Sequence, residues 1–246
     1  MPFPRTNRPP RDVSRRKPLV RRESHATAQA ATDILDVFER IVKGRDAIVI
    51  ECGCNDGMHT RLMHGRGSRV ARSYRHIAIE PDVRVMHLAK QWSNGLGICF
   101  VDAAISDERG RATLWLSSSD VKGCSYNGSS SIKLPGPGNR VFPGLVFKET
   151  TTVDTVTLDD LFQSCGLAHV DFIWADVQGA EKQMIRGGAG LCLPSTRYLY
   201  TEYCGGAEMY DDDATLADIV ALLPDWRVVR DYGGDVLMEN RRFAEV

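Results

Sequence analysis

The stretch Ile48-Val49-Ile50-Glu51-Cys52-Gly53-Cys54-Asn55-Asp56-Gly57 decides the fold of this chain. An apolar run leads into an acid, and two glycines four positions apart follow it. Such a run predicts a buried parallel strand, and the glycines predict a tight turn that a ligand can approach closely. Open α/β sheets bind ligands at the carboxyl ends of their strands, so we expect a ligand site at this turn.

Strand-like and helix-like segments alternate along the rest of the chain. This alternation predicts an α/β fold with a doubly wound, Rossmann-like, mostly parallel sheet of seven strands. Only residues 231–234 separate the last two strands, which predicts a C-terminal antiparallel hairpin. The predicted strands are Ala47–Glu51, His76–Glu80, Gly97–Ala104, Val170–Asp176, Arg197–Glu202, Trp226–Arg230 and Asp235–Glu239. The predicted helices are Met58–His64, Arg84–Trp92, Leu158–Cys165, Ala180–Arg186 and Ala214–Leu223.

The ends of the chain differ in composition. Residues 1–24 hold eight Lys or Arg and five Pro, which predicts a basic, Pro-rich disordered tail before one domain at 25–246. Inside that domain, 25–44 predicts an N-terminal helix, and the Ser/Gly/Pro-rich segment 117–150 predicts a substrate-side insertion. We expect no transmembrane span, and the seven scattered cysteines favour a reducing cytoplasm.

Acids and glycines recur at the predicted strand ends, which meet at one edge of the sheet. Glu80, followed by Pro81, is expected to accept hydrogen bonds from the two ribose hydroxyls of an adenosine ligand. Asp102, followed by Ala103, is expected to accept a hydrogen bond from an adenine amine. Asn55 contacts the ligand or caps the turn, and the residues leave both interpretations open.

The pattern differs from the dinucleotide fingerprint Gly-x-Gly-x-x-Gly. Glu51 and Asp56 put carboxylates beside Gly53 and Gly57, and a carboxylate there would repel a pyrophosphate. S-adenosylmethionine has no phosphate and carries a positive sulfonium and a positive amine. The turn therefore favours this methyl donor as the cofactor over NAD, FAD or ATP.

These residues match a family over about 45–205. The chain resembles the FkbM family of class I methyltransferases in Glu51-x-Gly53-x-Asn55-x-Gly57, Ile79-Glu80-Pro81, Ala104-Ile105-Ser106-Asp107, Ser129-Ser130-Ser131, Val156-Thr157-Leu158-Asp159 and Asp171-Phe-Ile-Trp-Ala-Asp176-Val-Gln-Gly179-Ala-Glu181. The resemblance implies O-methylation of a hydroxyl on a small molecule, sugar, lipid or natural product. Gln178 departs from the pattern, because the family often has Glu at this position.

A hydroxyl acceptor must lose a proton, so a general base helps the transfer. Asp176, at the end of the fourth parallel strand, is the first candidate for the catalytic base and also a candidate donor contact; capping the next helix is its alternative role. Glu181 and Glu202 are further catalytic candidates at the same edge. These three carboxylates have no fixed metal geometry, and we expect no metal.

Three other features have two interpretations each. His59 reaches the ligand or packs at the surface. Ser129–Ser131, with Tyr126 and Asn127, form a substrate lid or an unstructured insertion. The basic tail suggests a methyltransferase acting on nucleic acid, but the remaining residues hold 23 basic and 30 acidic side chains, which counts against it. A non-catalytic S-adenosylmethionine-binding protein is the other alternative.

Overall fold

The structure is a computed structural model that describes residues 33–121, 127–137, 144–206 and 208–244. Residues from Leu35 onward form one compact unit. The tail predicted over 1–24, the start of the helix predicted within 25–44, Tyr126 and part of the 117–150 segment lie outside the described residues. In the described ranges, no helix is long and apolar enough to cross a bilayer.

Strands and helices alternate as the sequence predicts. The strands are β1 (Asp46–Cys52), β2 (Ser73–Ile79), β3 (Cys99–Val101), β4 (Ala104–Ile105), β5 (Gly110–Ser119), β6 (Leu145–Val156), β7 (Val170–Ala175), β8 (Thr196–Glu202), β9 (Trp226–Asp231) and β10 (Asp235–Asn240). The helices are α1 (33–42), α2 (Met58–Val70), α3 (Val83–Trp92), α4 (Leu158–Ser164), α5 (Glu181–Gly187) and α6 (Leu216–Leu222).

The central sheet has seven strands in the order β3-β2-β1-β7-β8-β10-β9. β1 runs parallel to both β2 and β7, and β7 runs parallel to β8. β10 is antiparallel to both β8 and β9, because a hairpin joins β9 to β10. This confirms the predicted fold class. The chain leaves β1 toward β2 and returns on its other side at β7, so the order changes direction there, where such sheets bind ligands.

Helices cover both faces of the sheet, which explains why the central strands read as continuous apolar runs. Ile50 and Ile173 belong to one core cluster with residues of α4, α5 and α6. On the opposite face, Phe38 of α1 packs on Phe172 with ring centroids 5.2 Å apart. All six residues of β7 are buried, so the end of this strand is held rigidly.

The strand predicted at Gly97–Ala104 is wrong in its length. β3 ends at Val101, and a turn follows in which the Ala103 N–H donates to the Val101 carbonyl oxygen over 3.1 Å. Ala104 and Ile105 then form β4, which joins a second sheet in the order β4-β6-β5. The apolar pattern continues through the turn because these residues are buried again on its other side, so the pattern hides the change of sheet.

The segment 117–150 contains the ends of two long paired strands. β5 and β6 are antiparallel from Gly110 opposite Thr155 to Ser119 opposite Leu145. The described residues 127–137 lie beside this pair, and Ser131 exchanges backbone hydrogen bonds of 2.7 and 3.1 Å with Trp115. The second sheet thereby brings the serines of this segment to the carboxyl edge of the central sheet.

Candidate active site

A cleft opens at the carboxyl ends of β1, β2 and β7. It encloses about 570 Å³ of space between protein atoms, counting space open to solvent. Among the described residues, two that line it are carboxylates and none is Lys or Arg. The lining residues are Gly53, Asn55, Ile79, Glu80, Pro81, Ala103, Ala104, Ile105, Leu114, Asn127, Gly128, Ser130, Ser131, Ile132, Asp176, Val177, Gln178 and Ala180.

The turn after β1 brings the backbone of Gly53 against the backbone of Asp176. Gly53 has a φ of 83°, and a Cβ built on it would lie 1.8 Å from the Asp176 carbonyl oxygen. The Gly53 N–H donates to the Ile79 carbonyl oxygen over 2.9 Å, which ties the turn to the end of β2. Only glycine fits here, because any side chain would push β1 and β7 apart.

Glu80 is held in place from both sides. Its Oε2 accepts a hydrogen bond of 3.0 Å from the Asn55 N–H, and its Oε1 accepts one of 2.8 Å from the Asp82 N–H. Burial raises the pKa of Glu80 from 4.5 to about 7. A carboxylate so fixed at the wall of the cleft is positioned to accept further hydrogen bonds from ligand hydroxyls.

The structure gathers six of the predicted cofactor-binding residues around the cleft: Gly53, Asn55, Glu80, Pro81, Ala103 and Asp176. The other four do not line it. Gly57 lies against α3, where a Cβ would come within 2.9 Å of Ala89, and Asp56 Oδ1 accepts a hydrogen bond of 3.1 Å from the Met58 N–H at the start of α2. Both residues shape the beginning of that helix.

Glu51 and Asp102 do not line the cleft, and each lies close to a basic side chain. Glu51 is buried, and its Oε2 lies 3.1 Å from His76 Nε2 on β2. The Asp102 carboxylate is half exposed and accepts hydrogen bonds of 2.6 and 2.7 Å from Lys90 Nζ. Its neighbour Ala103 lines the cleft instead. A direct contact of Glu51 or Asp102 with the ligand therefore stays a prediction of the sequence.

The serine-rich segment forms one wall of the cleft. Ser130 Oγ donates to Asp82 Oδ2 over 2.8 Å, and Arg84 Nη2 donates to the same oxygen over 2.6 Å. Ser131 Oγ donates to the Gln178 carbonyl oxygen over 2.6 Å. These bonds fasten the segment to the loops after β2 and β7, so the residues expected to cover the substrate lie beside Glu80.

A second cavity adjoins the first and contains two of the predicted catalytic residues. Glu181 and Glu202 line it together with Asp213, Tyr203 and Tyr210. Asp176 lines the first cavity, and Gln178 lines both. Among the described residues, no group of three or more His, Cys, Asp or Glu could hold a metal ion. His59 packs beside Trp174, with ring centroids 5.0 Å apart.

Gln178 connects the acids of the two cavities. Its Nε2 donates to Asp176 Oδ1 and, over 3.3 Å, to Glu202 Oε2. The Tyr210 hydroxyl lies 2.7 Å from Gln178 Oε1 and 2.8 Å from the Ser129 carbonyl oxygen. Gln178 has a φ of 53°, a conformation that costs a residue with a side chain roughly 1–2 kcal/mol. Such strain persists only where the surroundings hold the residue, and it clusters at functional sites.

The three catalytic candidates hold protons more tightly than ordinary carboxylates. Burial raises the pKa of Asp176 and raises that of Glu181 to about 7. Burial and then the charge of Asp176 raise the pKa of Glu202 well above its usual value of 4.5. Raised carboxyl pKa values that cluster in a cleft are typical of functional sites, where acids and bases are matched to proton transfer.

We expect Glu181→Gln to gain stability over the wild type as pH rises. The folded-state pKa of Glu181 is raised from 4.5 to about 7, so its contribution to the free energy of unfolding is complete below pH 4.5 and is lost as pH rises through about 7. Glutamine does not titrate, so the variant does not lose this contribution as pH rises. The measurement is urea unfolding of both ligand-free proteins across this range.

The difference between the two proteins is the quantity to compare, because other groups titrate in the same range. Burial lowers the pKa of His64 and so contributes in the opposite sense. A constant difference in unfolding free energy between Glu181→Gln and wild type across this pH range would contradict the assignment.

The sequence matches the family described as Methyltransferase FkbM domain over residues 51–233. This chain belongs to the FkbM methyltransferase family. It is similar to the 2-O-methyltransferase NoeI of Sinorhizobium fredii (strain NBRC 101917 / NGR234), with 32% identity over 219 residues, 86% of this chain and 88% of that protein. The resemblance stated from the sequence is thereby confirmed, and the chain is an S-adenosylmethionine-dependent methyltransferase.

Solved structures of other methyltransferases resemble this FkbM-family chain more distantly. The FkbM methyltransferase of Methylobacillus flagellatus has 14% identity and a TM-score of 0.46, covering 79% of this chain and 44% of its own. The magnesium protoporphyrin IX methyltransferase of Synechocystis PCC 6803, solved with S-adenosylmethionine, has 12% identity and a TM-score of 0.48 over 89% of this chain and 81% of its own.

Several residues of the candidate site have no signal in the sequence. Tyr210 lies in an irregular segment after β8, and no periodicity or motif distinguishes it there. Leu114 reaches the cleft from the second sheet, which the strand pattern did not predict. In the sequence, Gln178 stands out only because the family often has Glu at this position. Its hydrogen bonds to two carboxylates depend on the fold and have no signal in the local sequence.

Proposed function

We propose that this FkbM-family enzyme transfers a methyl group from S-adenosylmethionine to a hydroxyl oxygen of a small molecule, such as a sugar, lipid or other natural product. The observation that carries the proposal is the position of Gln178, which lines both cavities and donates to Asp176 in the first and to Glu202 in the second, one cavity suited to the donor and one to the acceptor. The relative from Sinorhizobium fredii is named a 2-O-methyltransferase, which supports an oxygen acceptor.

The residues of the first cleft fit the donor. Its carboxylates, Glu80 and Asp176, suit the positive sulfonium and amine. The lining residues that the structure describes include no Lys or Arg, which disfavours a ligand with phosphates. In this proposal, Glu80 accepts hydrogen bonds from the ribose hydroxyls. Gly53 leaves room beside β1, and Ala103 and Ile105 offer apolar surface to the base.

The bound donor supplies a methyl group already activated by the positive sulfur. The protein's part is to align the acceptor oxygen, exclude water and remove the acceptor proton. We assign the last role to Asp176, which lines the donor cleft and is held by Gln178 Nε2. Glu202 accepts a hydrogen bond from the same amide.

The second cavity suits an acceptor with several hydroxyl groups. It presents the carboxylates of Glu181, Glu202 and Asp213 together with the phenols of Tyr203 and Tyr210. Carboxyl groups accept hydrogen bonds from hydroxyl hydrogens, and a protonated carboxyl or a phenol can also donate one to a hydroxyl oxygen.

We expect Gln178→Glu to move the acidic limb of the pH profile of kcat/KM upward by about one unit. The change removes the amide that donates to Asp176 and Glu202 and adds a third acid, so the base keeps its proton to a higher pH. At pH values above the shifted limb, kcat/KM should recover. Gln163→Glu, on the exposed surface of α4, is the matched control and should leave the profile unchanged.

The proposed function is tested with S-adenosylmethionine labelled in its methyl group and a panel of hydroxyl compounds. Formation of S-adenosylhomocysteine together with a methyl ether on one acceptor is the expected result. Methyl transfer to nitrogen or carbon would contradict the proposal. Tight binding of the donor with no transfer to any acceptor, natural extracts included, would indicate a binding protein instead.

A further inference from the structure

An open, arginine-lined cavity lies at the opposite end of the central sheet from the active site. It is formed by α1, the loop before β1, and β8, β9 and β10, and it encloses about 860 Å³ of space, counting space open to solvent. β8 reaches it at Arg197, near the start of the strand, whereas Glu202 at the strand's end lines the acceptor cavity. Five residue steps along a strand separate the two by roughly 16 Å.

Its charge is strongly unbalanced. The charged lining residues are Arg40, Arg45, Arg197, Arg227 and Glu239. The single carboxylate is already engaged: Arg227 Nε donates to Glu239 Oε2 over 2.7 Å, and the Tyr198 hydroxyl donates to Glu239 Oε1 over 2.6 Å. In the part of the chain that the structure describes, the other three arginines form no ion pair.

Each of these three arginines retains nitrogens that can bind an anion. Arg197 Nε is buried without a hydrogen-bond partner among the described residues. Arg45 uses its Nε to donate to the Ile41 carbonyl oxygen over 2.9 Å, which fixes the guanidinium and leaves its terminal nitrogens without a described partner. Arg40 is exposed on α1 at the mouth of the same cavity.

A bound anion would remove two costs of this arrangement. Gathered positive charges repel one another, and a buried N–H without an acceptor is unfavourable. The guanidinium fork matches phosphate oxygens in pairs, which makes arginine the preferred residue for phosphate. Apolar side chains, Val37, Ile41, Leu237 and Phe243, line the rest of the cavity and offer a surface for an organic group.

We infer that this cavity binds a compact organic phosphate ester, with its phosphate between Arg40, Arg45 and Arg197 and its organic group on the apolar wall. The site is separate from the methyl-transfer site and does not depend on the function proposed for it. Free inorganic phosphate has the same headgroup chemistry and is distinguished by the absence of the organic group.

Isothermal titration of the full chain at low ionic strength tests the inference, with phenyl phosphate, inorganic phosphate and phenol as probes. We expect saturable binding of phenyl phosphate, weaker binding of inorganic phosphate and none of phenol. Arg40→Gln combined with Arg197→Gln should raise the Kd for phenyl phosphate by about tenfold or more. Arg40→Gln alone changes an exposed position and does not endanger folding; it should raise the same Kd to a smaller extent.

The control is Arg61→Gln combined with Arg109→Gln, which removes the same charge at exposed positions elsewhere. Saturating S-adenosylhomocysteine should leave phenyl phosphate binding unchanged. Three results would overturn the inference: no saturable binding, an equal loss in the control variant, or displacement by S-adenosylhomocysteine. If inorganic phosphate binds as tightly as phenyl phosphate, and the variant that combines Arg40→Gln with Arg197→Gln loses this binding, the anion site is supported and free phosphate is its ligand.

Discussion

Asp176→Asn should lower kcat by about 10²–10⁴-fold, the range that a positioned general base contributes. Asparagine has nearly the same shape, and its side-chain oxygen can still accept the hydrogen bond from Gln178 Nε2. The fold and the cleft are therefore preserved while the ability to take a proton is lost. The measurement is steady-state methyl transfer with the acceptor at saturation, together with the Kd for S-adenosylhomocysteine.

The Kd separates a catalytic role from a binding role. We expect it to change by less than about tenfold, because an interaction needed mainly in the transition state affects kcat more than ground-state binding. Asp154→Asn makes the same chemical change at an exposed aspartate of β6 and should retain wild-type kcat. A kcat of Asp176→Asn within a few-fold of wild type would remove Asp176 from the role of base.

Gly53→Ala should destabilise the protein by more than about 3 kcal/mol and abolish measurable methyl transfer. The added Cβ would lie 1.8 Å from the Asp176 carbonyl oxygen, so β1 and β7 would have to separate where the cleft begins. Urea unfolding gives the loss of stability, and titration with S-adenosylhomocysteine gives the loss of donor binding.

Gly95→Ala is the matched control for this change. Gly95 has a φ of 81°, close to that of Gly53, but a Cβ there meets nothing within 4 Å. Gly95→Ala should lower the free energy of unfolding by only roughly 1–2 kcal/mol, which is the cost of placing a side chain in this backbone conformation. Equal losses of stability at the two positions would mean that the close approach of Gly53 to Asp176 contributes nothing.

The central sheet was predictable because its determinants are local. Each buried strand is an apolar run of the right length. Only residues 232–234 connect β9 to β10, and so short a connection joins two strands as an antiparallel hairpin. The second sheet was not predictable in the same way. β4 has two residues and pairs with β6, which begins 40 positions after Ile105, so its formation depends on contacts distant in sequence.

The candidate site was predictable to the extent that strand ends define it. Glu80 and Asp176 line the cleft because they follow β2 and β7, two parallel strands that flank β1 and end at the same edge of the sheet. Asp102 also follows a strand, but Lys90 on α3 pairs with its carboxylate, and the identity of that partner depends on how α3 packs. Tyr210 meets Gln178 across 32 residues of chain, a contact that no local pattern encodes.

The central claim is that the cleft at the ends of β1, β2 and β7 binds the methyl donor, with Glu80 on the ribose. The most direct test compares the Kd for S-adenosylhomocysteine of wild type, Glu80→Ala and Asp102→Ala by isothermal titration, with each variant's folding checked by its melting curve. Loss of charged hydrogen bonds should weaken binding by about 10–100-fold in Glu80→Ala. The Kd of Asp102→Ala should stay close to that of wild type, because the Asp102 carboxylate is half exposed and paired with Lys90. An unchanged Kd in folded Glu80→Ala would contradict the account.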